Sequence, residues 1–157
     1  MTMLSDINAQ IAALPRAANP EPDALGYGVD LSCVSDLTED MRETDPESPE
    51  GILESCVRFL TTDRDSIPGA PGRGWNVRRL LNRAYTASEL AAQEGLATQE
   101  LEQDDRIDRV ELSLIINVQK REIKIRFRIF PKSLALQPFD AIATVTDGEA
   151  IAELVRK

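Results

Sequence analysis

Apolar residues recur with a helical period through the middle of this chain and alternate strictly near its end, so the change of period separates a helical part from a sheet part. Ile52, Leu53, Cys56, Phe59 and Leu60 stand at i, i+1, i+4, i+7 and i+8, one face of a helix that should be core. Its start is legible: Ser48 can cap, Pro49 suits the first turn, and Glu50 favours the positive end of the helix dipole. A loop rich in glycine and proline follows over 61–74, then a short helix over 75–83 with Val77, Leu80 and Leu81 inward and Arg78, Arg79 and Arg83 on its other sides. Thr86 and Glu89 match a capping box and open a helix predicted to run to about residue 104, with Leu90, Ala97 and Leu101 inward. Gly95 inside it costs about 1 kcal/mol relative to alanine and marks a kink or a break.

The C-terminal third reads as strands. Residues 110–118 are nearly continuously apolar, and Ile123, Ile125, Phe127 and Ile129 alternate with Lys124, Arg126 and Arg128. These predict two strands joined as a hairpin through 119–121. A further strand is predicted over 142–145, and after the Asp147-Gly148 turn residues 149–155 read either as a closing strand or as a terminal helix capped by Asp147. Upstream, Ile7, Ile11 and Leu14 predict a short amphipathic helix over 5–14, stopped by Pro15 and followed by an extended, proline-biased linker over 15–22. Residues 26–37 read as an irregular, core-touching loop or short strand turning around Tyr27, and 38–47 as a solvated acidic loop. The organisation is an arm and linker over 1–25 and one domain over 26–157. The predicted class is α+β, with N-terminal helices packed on a C-terminal, mainly antiparallel sheet.

A length of 157 residues suits one domain with a real core, and aromatics at 4% make that core mainly aliphatic. The net charge of −9 is unevenly placed: residues 1–62 hold 12 acidic and 3 basic side chains, leaving 15 of each in the remainder. The acidic front half either solubilises the chain or forms an arm that docks on a basic neighbour. It also argues against general nucleic-acid binding, which rests on Lys and Arg neutralising phosphates. No apolar run is long enough to span a bilayer and the first twenty residues lack a signal-peptide pattern, so a soluble intracellular protein with no membrane partner is expected.

The chain contains no histidine, which removes Ser-His-Asp and Cys-His nucleophile systems and most zinc sites. Cys33 and Cys56 suggest neither a disulfide scaffold nor a metal knuckle, and buried free thiols are expected. A carboxylate-pair hydrolase needs two carboxyls facing across a cleft with one pKa raised by apolar surroundings, which the polar settings of Asp63, Asp65, Asp104 and Asp105 do not suggest. No enzyme, metal or cofactor is therefore expected. Arg73, Trp75, Arg78 and Arg79 form a basic patch beside an aromatic; in an acidic protein it reads as pairing with the protein's own carboxylates or with an acidic partner rather than gripping nucleic acid. Lys124, Arg126 and Arg128 give the second strand a cationic face, which either blunts the sheet against edge pairing or receives an acidic partner or an added strand.

Phe59-Leu-Thr-Thr62, Gly72-Arg-Gly-Trp-Asn-Val77, Leu80-Leu81 and Asp104-Asp-Arg-Ile107 stand in an order that resembles the small baseplate-wedge, or sheath-initiator, proteins of contractile phage tails and related injection machines, some of which are labelled lysozyme-like. The likeness runs from about residue 51 to 145. It departs at Asp104-Asp105-Arg106, where the family carries Glu-Pro-Arg, and the missing proline leaves the rigidity of that junction open. The resemblance implies a non-enzymatic structural component, present in several copies in a symmetric virion tail baseplate assembled in the bacterial cytoplasm, that joins wedge to sheath and nucleates sheath assembly. Implied partners are other wedge proteins, the sheath protein and hub or tube proteins. It also implies that Asp104 and Arg106 contact the wedge, with an internal brace between helix and strand as the alternative, and that the strand over 122–130 accepts an extended sheath arm. A tail-completion or head–tail connector protein is the other phage reading.

Overall fold

In a computed structural model of the chain, residues 30–32, 42–66 and 71–155 are described. The predicted helix over 5–14, the linker over 15–22, the turn around Tyr27, Cys33 and the end of the arm lie outside these residues. The chain pairs a short strand β1 (Asp30–Leu31) with β2 (Glu43–Thr44), runs through helix α1 (Pro49–Thr61), a six-residue 3-10 helix (Val77–Asn82) and helix α2 (Ala87–Leu101), and then folds four strands. These are β3 (Ile107–Asn117), β4 (Glu122–Pro131), β5 (Phe139–Thr146) and β6 (Ala150–Leu154), antiparallel in the order β3-β4-β5-β6. The class is α+β.

Each element carries its reason in the sequence. Ser48 caps α1 by accepting from the Gly51 N–H at 3.0 Å, and Pro49 opens its first turn. Thr86 and Glu89 form the complete capping box of α2. The 3-10 helix starts at Asn76, which sits in left-handed backbone (φ 50°) and accepts from the Arg78 N–H. β3 and β4 meet in a hairpin closed by Arg121 at φ 49°, a residue that also pairs with Asp147. Residues 149–155 resolve as a strand, because Ala150, Ala152 and Leu154 extend the core face of β5.

Helices α1 and α2 and the 3-10 helix lie against one face of the sheet and enclose a single core. Small side chains on that face, Ala141, Ala143 and Ala150, let α1 settle on β5 and β6. α2 packs along β3 instead. Gly51 is fixed by a close approach: a Cβ there would stand 2.3 Å from the Asp45 carbonyl oxygen. Phe59, expected in the core, packs at its edge and is only half-buried, with the Arg73 guanidinium over its ring at 4.2 Å.

Three local expectations change. The stretch 38–47 contains a strand, β2, whose Thr44 is buried, where a solvated loop was predicted; pairing with β1 satisfies backbone groups that water would otherwise take. α2 stops at Leu101, short of residue 104, because the Asp104 carboxylate accepts the Arg106 N–H at 3.0 Å and turns the chain into β3. Gly95 does not break α2, which runs through it.

Candidate functional site

The junction between α2 and β3 centres on a buried ion pair. Arg106 donates to Asp104 at 2.9 Å from Nε and 2.5 Å from Nη2, and their side chains are 12% and 9% exposed. The same guanidinium donates to the Pro46 carbonyl and to the Ser55 hydroxyl, both at 2.8 Å. One side chain thus ties the α2–β3 turn to α1 and to the turn before it. Burial pushes the Asp104 carboxyl up, but hydrogen bonds from Arg106 and the charges of Arg106 and Arg73 outweigh this and hold it below its ordinary value. That is the opposite of what a proton-donating carboxyl needs. The geometry here is that of an internal brace, and the bond from the Arg106 N–H to Asp104 supplies the turn that a proline would otherwise stiffen.

Arg106 also lies between two depressions. One, of about 400 Å³, is lined by Asp30, Ser55, Arg58, Arg73, Asp104 and Arg106; the other, of about 230 Å³, by Glu47, Asp105, Arg106, Lys132 and Leu136 among others. The wedge-contact role expected of Asp104 and Arg106 therefore falls on a surface where their edges are reachable, although most of their donors and acceptors are already used.

The basic patch around Trp75 divides into two kinds of residue. Arg73 donates to the buried Glu100 carboxylate at 2.9 Å and reaches the Glu100 and Gln103 carbonyls at the end of α2. Glu100 also accepts the Gly74 N–H at 2.9 Å, so it anchors the loop from inside. Arg78 donates to the Thr146 and Thr61 carbonyls, closing the end of α1 against the end of β5. Arg73 and Arg78 are thus internal staples. Arg79 stays exposed, paired with Asp63 at 2.6 Å, and Trp75 is half-buried beside it.

Lys124, Arg126 and Arg128 point away from the helices onto the open face of the sheet. That face is not uniformly cationic. Arg128 lies 3.8 Å from Asp140, Lys124 lies 3.8 Å from Glu122, and Arg109 of β3 pairs with Glu111 and stacks on Phe130. Arg126, opposite Ser113 on one side and Ile142 on the other, has no acidic partner among the described residues. Ile115, Ile142, Ile151 and Val155 are exposed around this charged centre.

The expectation that residues 122–130 accept an added strand is overturned by the strand order. β4 is bonded to β3 along one side and β5 along the other, so it has no free backbone edge. The edges are β3 and β6, and they differ. On β3, the outward-facing N–H groups of Val110 and Leu114 donate to Glu102, the C-cap of α2, at 3.2 Å and to Glu94, within α2, at 2.8 Å. The spans match: eight residues of helix rise about 12 Å, and four residues of strand about 13 Å. On β6, the Val155 N–H donates to the Asp140 carbonyl and the Thr146 N–H to the Glu149 carbonyl, which turns the backbone groups of Ala150, Ala152 and Leu154 outward. Nothing among the described residues pairs with them.

Sequence reasoning missed Glu94, Glu100 and Glu102, because a glutamate on a helix reads as solvated surface until the strand beside it is known. No helix among the described residues is long and apolar enough to cross a membrane. Comparison with known proteins finds no matching family model, no matching curated protein and no matching solved structure, so the reading of these surfaces rests on their geometry and chemistry.

Proposed function

We propose that this protein is a non-enzymatic structural component of a contractile phage-tail baseplate or related injection machine, joining wedge to sheath, and that β6 is the edge on which a neighbouring subunit adds an extended strand. The observation that carries this reading is the asymmetry of the two edges. The protein covers β3 with two glutamates and leaves three residues of β6 open, without the lysine or proline that ordinarily discourages edge pairing. Strand addition takes affinity from main-chain bonds and specificity from alternate side chains, here Ile151 and Glu153 on the open face. The braced junction supports the same reading, since an assembly component must present its edge at a fixed angle.

The test is capture of the sheath and wedge subunits encoded beside this gene, by wild type and by Ala152→Pro. The Ala152 N–H points away from β5, so proline removes a donor from the open edge without removing one from the ladder. Loss of sheath capture with an unchanged unfolding midpoint is the expected result. Undiminished capture by the variant moves the contact away from β6, and no capture by wild type overturns the assembly reading.

A further inference from the structure

We propose that the depression between the 63–66 loop, the 3-10 helix and the start of α2 is a second binding site, and that it takes an acidic residue of a partner polypeptide together with an adjacent apolar or aromatic side chain. The depression has a volume of about 270 Å³, enough for one or two side chains, and is lined by Arg64, Trp75, Asn76, Arg79, Tyr85 and Gln93 among others. It is distinct from the β6 edge and does not depend on that edge being occupied.

The walls are aromatic and the rim is rich in donors. Trp75 and Tyr85 are both half-buried, and the Arg83 guanidinium lies over the Tyr85 ring at 4.5 Å. Arg64 has no acidic partner among the described residues, and the Trp75 indole N–H and the Gln93 amide make no hydrogen bond there either. No carboxylate among the described residues lines the depression, and the two in the adjoining loop are already engaged: Asp63 accepts from the Asn76 amide at 2.8 Å and from Arg79 at 2.6 Å, and Asp65 accepts the Gly72 N–H at 2.7 Å. The group that fits a ring of donors over aromatic walls is a carboxylate carried beside an apolar side chain.

Two non-glycine residues beside the depression hold left-handed backbone. Asp65 and Asn76 have φ of 65° and 50°, and Gly74 has φ of 102°, its N–H bound to the buried Glu100 carboxylate. Non-glycine residues at positive φ persist where the surroundings over-determine them, and such positions gather at binding sites. The bonds from the Gly74 N–H to Glu100 and from the Arg78 N–H to Asn76 hold the backbone on either side of Trp75, which lowers the ordering cost of binding. A nucleic acid is disfavoured as occupant, because the whole chain carries a net charge of −9.

Trp75 is the only tryptophan in the chain, so its fluorescence reports on this site directly. The full-length protein is titrated to about 5 mM with the blocked peptide acetyl-Phe-Glu-Asp-Leu-amide, with its neutral counterpart acetyl-Phe-Gln-Asn-Leu-amide, and with inorganic phosphate. A saturable change in Trp75 emission with the acidic peptide is expected, weakened about tenfold or more by the neutral peptide and by Arg64→Gln. Arg64 is exposed and makes no hydrogen bond or ion pair among the described residues, so this variant should keep the fold, which a thermal unfolding curve checks. Equal responses to the two peptides, no saturable response to either, or tighter binding of phosphate than of the acidic peptide overturns the proposal. Because Ala152→Pro leaves this depression untouched and Arg64→Gln leaves β6 untouched, failure here and failure of the assembly reading are separately visible.

Discussion

Replacing Arg106 by alanine removes at least four hydrogen bonds from one largely buried position: two to Asp104, one to the Pro46 carbonyl and one to the Ser55 hydroxyl. The Asp104 carboxylate, 9% exposed, keeps the Arg106 backbone N–H and loses its counter-charge. Breaking a buried pair from one side costs about 3–5 kcal/mol, and an unsatisfied carbonyl adds about 1 kcal/mol. Some of this is recovered because both depressions beside Arg106 are open to water. A loss of about 3–4 kcal/mol is therefore expected, a large fraction of the 5–15 kcal/mol that typically holds a domain together. The double variant Asp104→Asn with Arg106→Met removes both charges at once and should recover about half of that loss or more, as buried pairs replaced together by neutral groups often do. Urea unfolding followed by circular dichroism measures both. A loss below about 1 kcal/mol for Arg106→Ala would falsify the brace and leave the guanidinium free for a partner. It follows that charge reversal at Arg106 is a poor probe of partner binding, because unfolding alone would abolish capture.

Four further outcomes are expected. The Asp104 carboxyl has a folded value below its unfolded one, so its contribution is complete above about pH 5 and is lost as the pH falls below about 4; the stability advantage of wild type over Asp104→Asn should shrink across that window, and an advantage independent of pH refutes the pairing. Gly74→Ala should destabilise by about 2–3 kcal/mol, because its Cβ would stand 2.7 Å from the Asp63 carbonyl oxygen at a φ of 102°. Gly95→Ala should instead stabilise by up to about 1 kcal/mol, since the position is helical with nothing within 4 Å of the added methyl; a loss in thermal unfolding contradicts it. The Cys56 thiol, pushed up to about 12 by burial and then by the Asp104 charge, should resist a thiol-specific disulfide reagent at pH 8 in a Cys33→Ser background until urea unfolds the protein, and rapid native labelling would show α1 opening locally.

The parts of the fold that depend on local signals were legible in the chain. Ser48 and Pro49 place the start of α1, Thr86 and Glu89 that of α2, and the alternation of Ile123 to Ile129 gives β4 its two faces. What depends on distant pairing was not. Alternation shows that Lys124, Arg126 and Arg128 share a face but says nothing of which strands flank them, so β4 read equally well as an edge until β3 and β5 closed on it. The neutralising Glu122 and Asp140 come from the same strand end and from the next strand, a juxtaposition set by register alone. The arginines show the same limit. Arg73 and Arg79 sit six positions apart in one basic run, yet one is fixed by a buried glutamate of α2 and the other remains at the surface.

The glutamates of α2 connect these observations. Glu94 and Glu102 close the β3 edge, while Glu100 between them reaches the opposite way to hold Arg73 and Gly74. One helix and its cap therefore occupy two donors of the β3 edge and set the loop that carries Trp75. A neutral side chain could occupy the same space, but a carboxylate accepts an N–H with the strength of a charged partner and repels an incoming strand's carbonyl oxygens. The free edge, by contrast, has only Glu153 as a charged side chain, and its outward backbone positions carry alanine or leucine, so an approaching backbone meets no bulky barrier at Ala150 or Ala152. Placing charge on one edge and leaving the other small and apolar makes the two edges unequal towards an added strand. On the proposed assembly role, that inequality favours one neighbour at β6 over polymerisation through both edges.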